Sequence, residues 1–245
     1  MEPPAKRPNS LLRQLAIGAV LGLLLSFRLR GWVARWRSGK HGYFADIPLP
    51  WLAYDAALLA YWRFLIAALA GFVIFSLYWE LEARKAAEAS STESTASRAF
   101  HVTFANLALL LIILPVRGLG RCLPLSPWVM LAGLAVETAG LAFTIWARRC
   151  LGRNWSGRIA IKVGHQLVRS GPYRLLRHPI YTGILAMYLG IAIVTGEWLA
   201  LVGMAMGLLA YWRKIRLEEA ALDAAFGPQY QTYRRQTWAL VPGVY

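Results

Sequence analysis

The chain has 245 residues, of which 58% are hydrophobic and only 16% charged, and its mean hydropathy is +0.43. A soluble domain carries about a quarter charged residues, so these proportions exclude an ordinary water-soluble globule and require apolar surface to face something other than water. The formal net charge of +15 comes from 27 Lys and Arg against 12 Asp and Glu; the basic residues cluster between apolar runs without any DNA- or RNA-binding motif, which excludes nucleic acid as the partner and suits anionic lipid headgroups.

The first apolar segment covers residues 11–27. Lys6, Arg7 and Arg13 around its start imitate a signal peptide, but Arg28-Leu29-Arg30 follows without a small-residue cleavage site, so a retained span is expected. A basic stretch (Arg28, Arg30, Arg35, Arg37, Lys40) leads to Ile47-Pro48-Leu49-Pro50, a break in any regular helix. Residues 51–62 are apolar apart from Asp55 and either extend the next helix or form a separate interfacial or re-entrant piece; residues 64–79 contain no charge and form the second span. Residues 82–98, rich in Ala, Ser, Thr and Glu, read as a helical extension decaying into a flexible loop.

The third segment is 102–116, ended by Pro115, and the fourth is 128–147, with Pro127 suited to a first helical turn. Residues 148–178 are strongly basic (Arg148, Arg149, Arg153, Arg158, Lys162, Arg169, Arg174, Arg177). The fifth and sixth segments, 179–194 and 198–212, are separated only by Thr195-Gly196-Glu197 and form a tight helical hairpin; a basic tail, helical at first, follows from residue 213. The fold class is therefore all-α and polytopic, with five to seven transmembrane helices, a C-terminal helical hairpin and cytosolic loops. Residues 1–147 read as an N-terminal transmembrane region of about four spans and 148–245 as a second region of amphiphilic loop, helical hairpin and cytosolic tail, the part in which any chemistry is expected. The basic loop 148–178 and the basic tail lie on the cytoplasmic side, because the hairpin turn between them carries no cation. The stretch 28–40 obeys the same rule only if residues 51–62 add a crossing.

Cys122 and Cys150 form no paired motif, and His41, His101, His165 and His178 have no metal-binding spacing, so no metal is expected. Glu137 falls near the middle of the fourth segment, where a carboxylate is costly; it is either neutral and structural or lines a cavity within the helix bundle.

The hairpin places two polar stretches side by side. Residues 164–183 precede its first helix, and Arg213-Lys214-Ile215-Arg216-Leu217-Glu218-Glu219 follows its second. Tyr173, Arg177, His178 and Tyr181 thereby come to face Arg213, Lys214, Glu218 and Glu219, with Lys214 and Glu218 one helical turn apart. Carboxylates suit an ammonium or sulfonium, Arg and Lys suit a carboxylate, and tyrosine offers a hydroxyl and a ring face. The same residues also fit headgroup contacts and surface ion pairs.

These residues carry a likeness to a known family. Gly152-Arg153-Asn154-Trp155-Ser156, Gly171-Pro172-Tyr173-Arg174, Arg177-His178-Pro179-Ile180-Tyr181-Thr182-Gly183, Glu218-Glu219, Phe226-Gly227, Tyr230, Tyr233 and Pro242 occur in order and at characteristic intervals. Over about residues 151–242 the chain resembles the isoprenylcysteine carboxyl methyltransferases and the wider phospholipid methyltransferases. The resemblance implies a polytopic membrane enzyme that uses S-adenosyl-L-methionine at its cytosolic side and takes a lipophilic acceptor from the bilayer. It implies Tyr173, His178, Tyr181 and Glu219 as cofactor-binding residues, and Glu218 and Lys214 beside the methyl-transfer centre; by their place in the same patch Arg177 joins the expected cofactor-binding set and Arg213 the expected catalytic set. Isoprenylcysteine enzymes commonly have Arg four residues before the first Glu of the pair; here Lys214 stands there. Lysine lacks the fork that clamps a carboxylate by two bonds, so the acceptor class widens from a lipid carboxylate to an amine or a thiol. Two other readings are a membrane reductase of the sterol-reductase type using a nicotinamide cofactor, and a non-enzymatic membrane protein. The short interval between Arg177-His178-Pro179 and Glu218-Glu219 favours methyl transfer over reduction.

Overall fold

A computed structural model describes residues 51–85, 93–114, 120–155 and 167–244. The first expected span at 11–27, the basic stretch 28–40, the Pro-rich break 47–50, and Arg158, Lys162 and His165 lie outside the described residues.

The described helices are α1 (Trp51–Lys85), α2 (Thr95–Ile113), α3 (Pro127–Leu151), α4 (Pro179–Thr195), α5 (Trp198–Phe226) and α6 (Pro228–Arg235), with short 3-10 turns at Gly152–Asn154 and Gly171–Arg174. Three helical stretches among the described residues are long and apolar enough to cross a membrane: Ala60–Glu82, Thr95–Ile113 and Pro127–Leu151. Helix α4 is as apolar but has only 17 residues. Ile66, Ile74, Leu201, Val202 and Leu209 point outward and exposed. An exposed apolar belt of this kind suits lipid rather than water.

Residues 51–62 and 64–79 are one helix. No Gly or Pro interrupts 51–70, and single charges at Asp55 and Arg63 do not break a helix. The expected loop at 82–98 is shorter than its composition suggests, because α2 already begins at Thr95. Ser94 caps it: its side chain accepts the backbone N–H of Ser97 at 3.1 Å and satisfies a donor that a helix start leaves open. At the other end Leu114, which precedes Pro115, is extended, as the pre-proline position demands.

Helix α4 is the buried centre of the bundle. It touches α1, α2, α3 and α5, and its most extensive contact is with α3. Glycines make that contact close. A Cβ on Gly140 would lie 2.7 Å from the carbonyl oxygen of Gly183, and one on Gly133 would lie 2.7 Å from that of Gly190. Where lipid surrounds the helices, such close approach replaces the hydrophobic effect as the source of packing energy. Glu137 is buried in this seam, its backbone against Gly190 and its carboxyl against Gly71 of α1.

The hairpin closes as expected. Gly196 takes the left-handed conformation (φ +61°) after α4, which only glycine adopts without strain. Its carbonyl accepts the backbone N–H groups of Cys122 at 2.8 Å and Leu123 at 3.2 Å, so the segment before α3 clamps the turn. Helix α2 packs along α5. At the opposite end Arg148 reaches Glu82 (3.5 Å) and lies 4.3 Å over the Trp155 ring, which meets Trp79 edge-on; this ties α1 to α3.

Candidate active site at the paired ends of helices α4 and α5

Helix α5 runs well beyond its apolar half, to Phe226, and so carries Arg213–Glu219 as regular helix past the start of α4. The tail then turns at Gly227 (φ +48°), forms α6 and returns along the segment that precedes α4. Leu176 and Trp238 pair in parallel, with Trp238 N–H donating to Leu175 O (2.9 Å), Arg177 N–H to Trp238 O (2.8 Å) and His178 N–H to Ala239 O (3.1 Å). Three side chains fasten this strap. Tyr233 donates its hydroxyl to Tyr173 O (2.8 Å), Thr182 donates to Leu240 O (2.8 Å), and Arg177 donates to the carbonyls of Arg234 (3.1 Å) and Thr237.

Within this frame the charged side chains alternate in sign. Arg177 Nε lies 2.7 Å from Glu219 Oε1, and Arg234 Nε lies 3.8 Å from Glu219 Oε2. His178 stands between the two glutamates, with Nδ1 3.5 Å from Glu218 Oε2 and Nε2 3.5 Å from Glu219 Oε1. Tyr181 donates its hydroxyl to Glu218 Oε1 at 2.5 Å and stacks on the His178 ring, with centroids 5.7 Å apart and planes 8° from parallel. Lys214 Nζ lies 3.9 Å from Glu218 Oε1, one turn along α5, and 3.6 Å from Glu93 Oε2, just ahead of α2. A second aromatic layer lies behind, where Tyr211 contacts Tyr181 (5.1 Å) and His101 (5.1 Å).

Burial and charge act in opposition here. Burial pushes the Glu219 carboxyl up, but His178 and Arg177 outweigh it and hold the group down at about 2. Burial likewise opposes the charged form of Glu218, and His178, Lys214 and Tyr181 together hold its carboxyl below the ordinary value. Burial would push His178 down, yet the two facing carboxylates raise it above 6.5. Both glutamates are therefore held toward their anionic form, and the ring between them is drawn toward its cationic one.

Of the residues expected at the site, Arg177, His178, Tyr181, Lys214, Glu218 and Glu219 form this connected cluster. Tyr173 lies buried beneath the strap and makes its hydrogen bond through its carbonyl; burial, Tyr233 and Glu218 raise its phenol. Arg213 is elsewhere. Its Nη2 donates to Ser97 Oγ at 3.1 Å, and its guanidinium sits 4.8 Å over the Phe100 ring. On α5 it is the immediate neighbour of Lys214, but a helix turns 100° per residue and aims it at α2.

Sequence reasoning did not find Glu93 or Arg234. Glu93 fell inside a stretch read as loop, although Ser94 and the helix formers after it are a capping signal. Arg234 reaches Glu219 only because the tail doubles back, a tertiary arrangement with no local signature.

The cluster suits a ligand that carries an ammonium, a cationic centre and a carboxylate. Two anionic carboxylates and a stacked aromatic pair suit the cationic groups, and Arg177 and Arg234 supply positive charge beside them. The Tyr230 hydroxyl is completely buried without a hydrogen-bond partner among the described residues, and it feels the charges of Glu219, Arg177 and Arg234. A buried hydroxyl left unsatisfied beside charged groups is the kind of atom a bound ligand completes.

Part of the chain that holds this cluster is similar in sequence to known proteins. The phospholipid methyltransferase family model matches residues 128–229. A probable protein-S-isoprenylcysteine O-methyltransferase of Oryza sativa subsp. indica is 33% identical over 110 residues, 44% of this chain and 52% of that protein. The cobalt-zinc-cadmium resistance protein CzcN of Cupriavidus metallidurans is 36% identical over 94 residues, 38% of this chain and 43% of that protein. Among solved structures, the eukaryotic intramembrane Ras methyltransferase ICMT (isoprenylcysteine carboxyl methyltransferase) aligns with a TM-score of 0.44 and 19% identity over 62% of this chain and 54% of that one. The chain spans about half the length of the curated relatives it matches. The sequence likeness thus relates residues 128–229, which hold α4, most of α3, all of α5 and all eight site residues expected from the sequence, to the broad superfamily of phospholipid- and isoprenylcysteine-type membrane methyltransferases.

Proposed function

We propose that this chain transfers a methyl group from S-adenosyl-L-methionine to a lipophilic acceptor held in the bilayer, with the reaction centre at the cytoplasmic ends of α4 and α5. The observation that carries the reading is the buried row Arg177–Glu219–His178–Glu218–Lys214, closed by Tyr181, within the region that matches the phospholipid methyltransferases.

Glu219, Arg177, His178, Tyr181 and Tyr173 would hold the cofactor. When bound, it supplies an electrophilic sulfonium methyl. Glu219, fixed by Arg177 and Arg234, offers a rigid anion to an ammonium; because its partners are already in place, little rotamer freedom is lost on binding. The parallel His178 and Tyr181 rings offer a flat aromatic face to a cation. Methyl transfer needs nucleophile and methyl group aligned and water kept out, and the returning tail, hydrogen-bonded along Leu175–His178, fixes the backbone that carries Arg177 and His178. Glu218 and Lys214 then face the acceptor. A carboxylate acceptor, such as a prenylcysteine-like group, needs no base and would use Lys214 as its guide; an amine or thiol must lose a proton, for which Glu218 is the acceptor within reach.

Purified protein in detergent is titrated calorimetrically with S-adenosyl-L-methionine and, separately, with reduced nicotinamide cofactor. Micromolar binding of the first alone is expected. Binding of the second alone would transfer the site to a reductase, and binding of neither would leave a non-enzymatic membrane protein. Incubating membranes with a labelled methyl donor and extracting the lipids then identifies the acceptor.

A further inference from the structure

We propose that Glu93 is a specificity-determining residue: it occupies the anion position at Lys214 and so disfavours acceptors that carry a carboxylate. The inference rests on the methyl-transfer reading above and concerns the end of the site that meets the acceptor.

Lys214 stands where an acceptor anion would be anchored, and the start of α2 engages both it and its neighbour Arg213. Lys214 Nζ lies 3.6 Å from Glu93 Oε2, with the Glu93 side chain only 2% exposed and that of Lys214 10% exposed. Arg213 donates to Ser97 Oγ and lies over Phe100, four and seven residues further along the same segment. The segment itself is pinned by Ser94, whose hydroxyl accepts Ser97 N–H. Glu93 is therefore built into a capped helix start and is not a chance surface contact.

Lys214 already serves two carboxylates, Glu93 on one side and Glu218 on the other. An incoming acceptor carboxylate would be the third around one ammonium, in a site largely closed to water. It must expel Glu93 or accept like-charge contact, and either cost falls on carboxylate acceptors alone. A neutral headgroup, or an uncharged amine that reaches Glu218, leaves the Glu93–Lys214 pair in place. Lysine at this position fits the arrangement, because a point charge is readily shared between flanking carboxylates, whereas a planar fork is suited to clamping one.

The test compares wild type, Glu93→Gln and Glu93→Ser in detergent. The probes are N-acetyl-S-farnesylcysteine, which carries a carboxylate, and its primary amide, which does not. Glu93→Gln should bind the carboxylate at least tenfold more tightly than wild type and the amide within twofold. Adding Lys214→Met to Glu93→Gln should abolish that gain. Glu93→Ser covers the case in which glutamine retains a blocking hydrogen bond. The proposal is overturned if wild type prefers the carboxylate, if neither Glu93 variant changes the ratio, or if the gain survives loss of Lys214. Calorimetry with S-adenosyl-L-methionine on the same samples separates the two levels. A carboxylate gain without cofactor binding would sink the methyl-transfer reading and leave the Glu93–Lys214 assignment standing. Cofactor binding with an unchanged ratio would do the reverse.

Discussion

Arg177 and Glu219 come from either side of the α4–α5 hairpin, and their side chains meet at 2.7 Å with less than a tenth of each exposed. Removing one member of such a pair leaves the other as an uncompensated buried charge, a loss of about 3–5 kcal/mol where nothing else compensates. Here Arg177 also donates to the Arg234 and Thr237 carbonyls, so the chain should tolerate an isosteric change at Glu219. Glu219→Gln is expected to stay folded and monodisperse in detergent while its affinity for S-adenosyl-L-methionine falls at least tenfold in calorimetry. Unchanged affinity would remove Glu219 from the cofactor site.

The same row gives stability a dependence on pH with a defined sign. Glu219 is held at about 2 and Glu218 below 4.5, so their contribution is complete above the ordinary carboxyl value and fades as pH falls toward the folded ones. His178 is raised above 6.5, so its contribution is complete below 6.5 and fades as pH climbs through the raised value. Thermal stability in detergent should therefore be greatest between about pH 4.5 and 6.5 and decline on both sides. His178→Gln should flatten the alkaline decline and also weaken the acid one, because His178 is among the partners that hold both carboxyls down; the part of the acid decline that Arg177 and Lys214 support should remain. An alkaline limb unaffected by that substitution would mean that His178 does not carry it.

The hairpin and the meeting of its two outer ends were legible because a three-residue turn leaves two apolar helices no alternative to antiparallel packing. The members of the cluster followed from that single contact, together with the family-like spacing. Tertiary features were less legible. Arg213 and Lys214 are neighbours in sequence and equal in charge, and only the helix rotation that sends one to Ser97 and the other to Glu93 separates them. The expected loop at 82–98 hid Glu93 because Ser and Thr were read as flexible composition, whereas Ser94 acts as a cap. The glycine seam between α3 and α4 is written as Gly133 and Gly140 against Gly183 and Gly190, each pair seven apart. It becomes visible only once the two helices are known to be partners.

That seam makes its own prediction. A Cβ at Gly190 would fall 2.5 Å from the Glu137 backbone nitrogen and 2.6 Å from Gly133 O. Neither is the far end of a flexible side chain, so the helices must separate. Overpacking typically costs about 1–3 kcal/mol, and Gly190→Val should lie at or beyond the upper end. A lower melting temperature in detergent is expected, together with weaker cofactor binding, because α4 carries His178 and Tyr181 at its start. Gly120→Ala meets no neighbouring atom among the described residues and serves as the control, although its positive φ adds a small strain. Equal melting temperatures for the two variants would refute the close-packed seam.

Tyr181 provides the sharpest separation between binding and turnover. Its hydroxyl donates to Glu218 Oε1, the oxygen that also faces Lys214, and so helps to keep that carboxylate charged and aimed. A hydrogen bond to a charged group contributes about 1.5–3 kcal/mol, equivalent to roughly a 10- to 150-fold effect on a rate that depends on it. Tyr181→Phe keeps the ring stacked on His178 and removes only the donor. Cofactor affinity should then change by no more than about twofold, while kcat falls on the order of tenfold or more. Without the Tyr181 bond, the Glu218 carboxyl rises toward its ordinary value, so the acid limb of the kcat profile should move to higher pH. If kcat is retained and its acid limb stays in place, Glu218 does not handle the acceptor's proton. If cofactor affinity collapses instead, the hydroxyl serves the cofactor side of the site rather than the acceptor side.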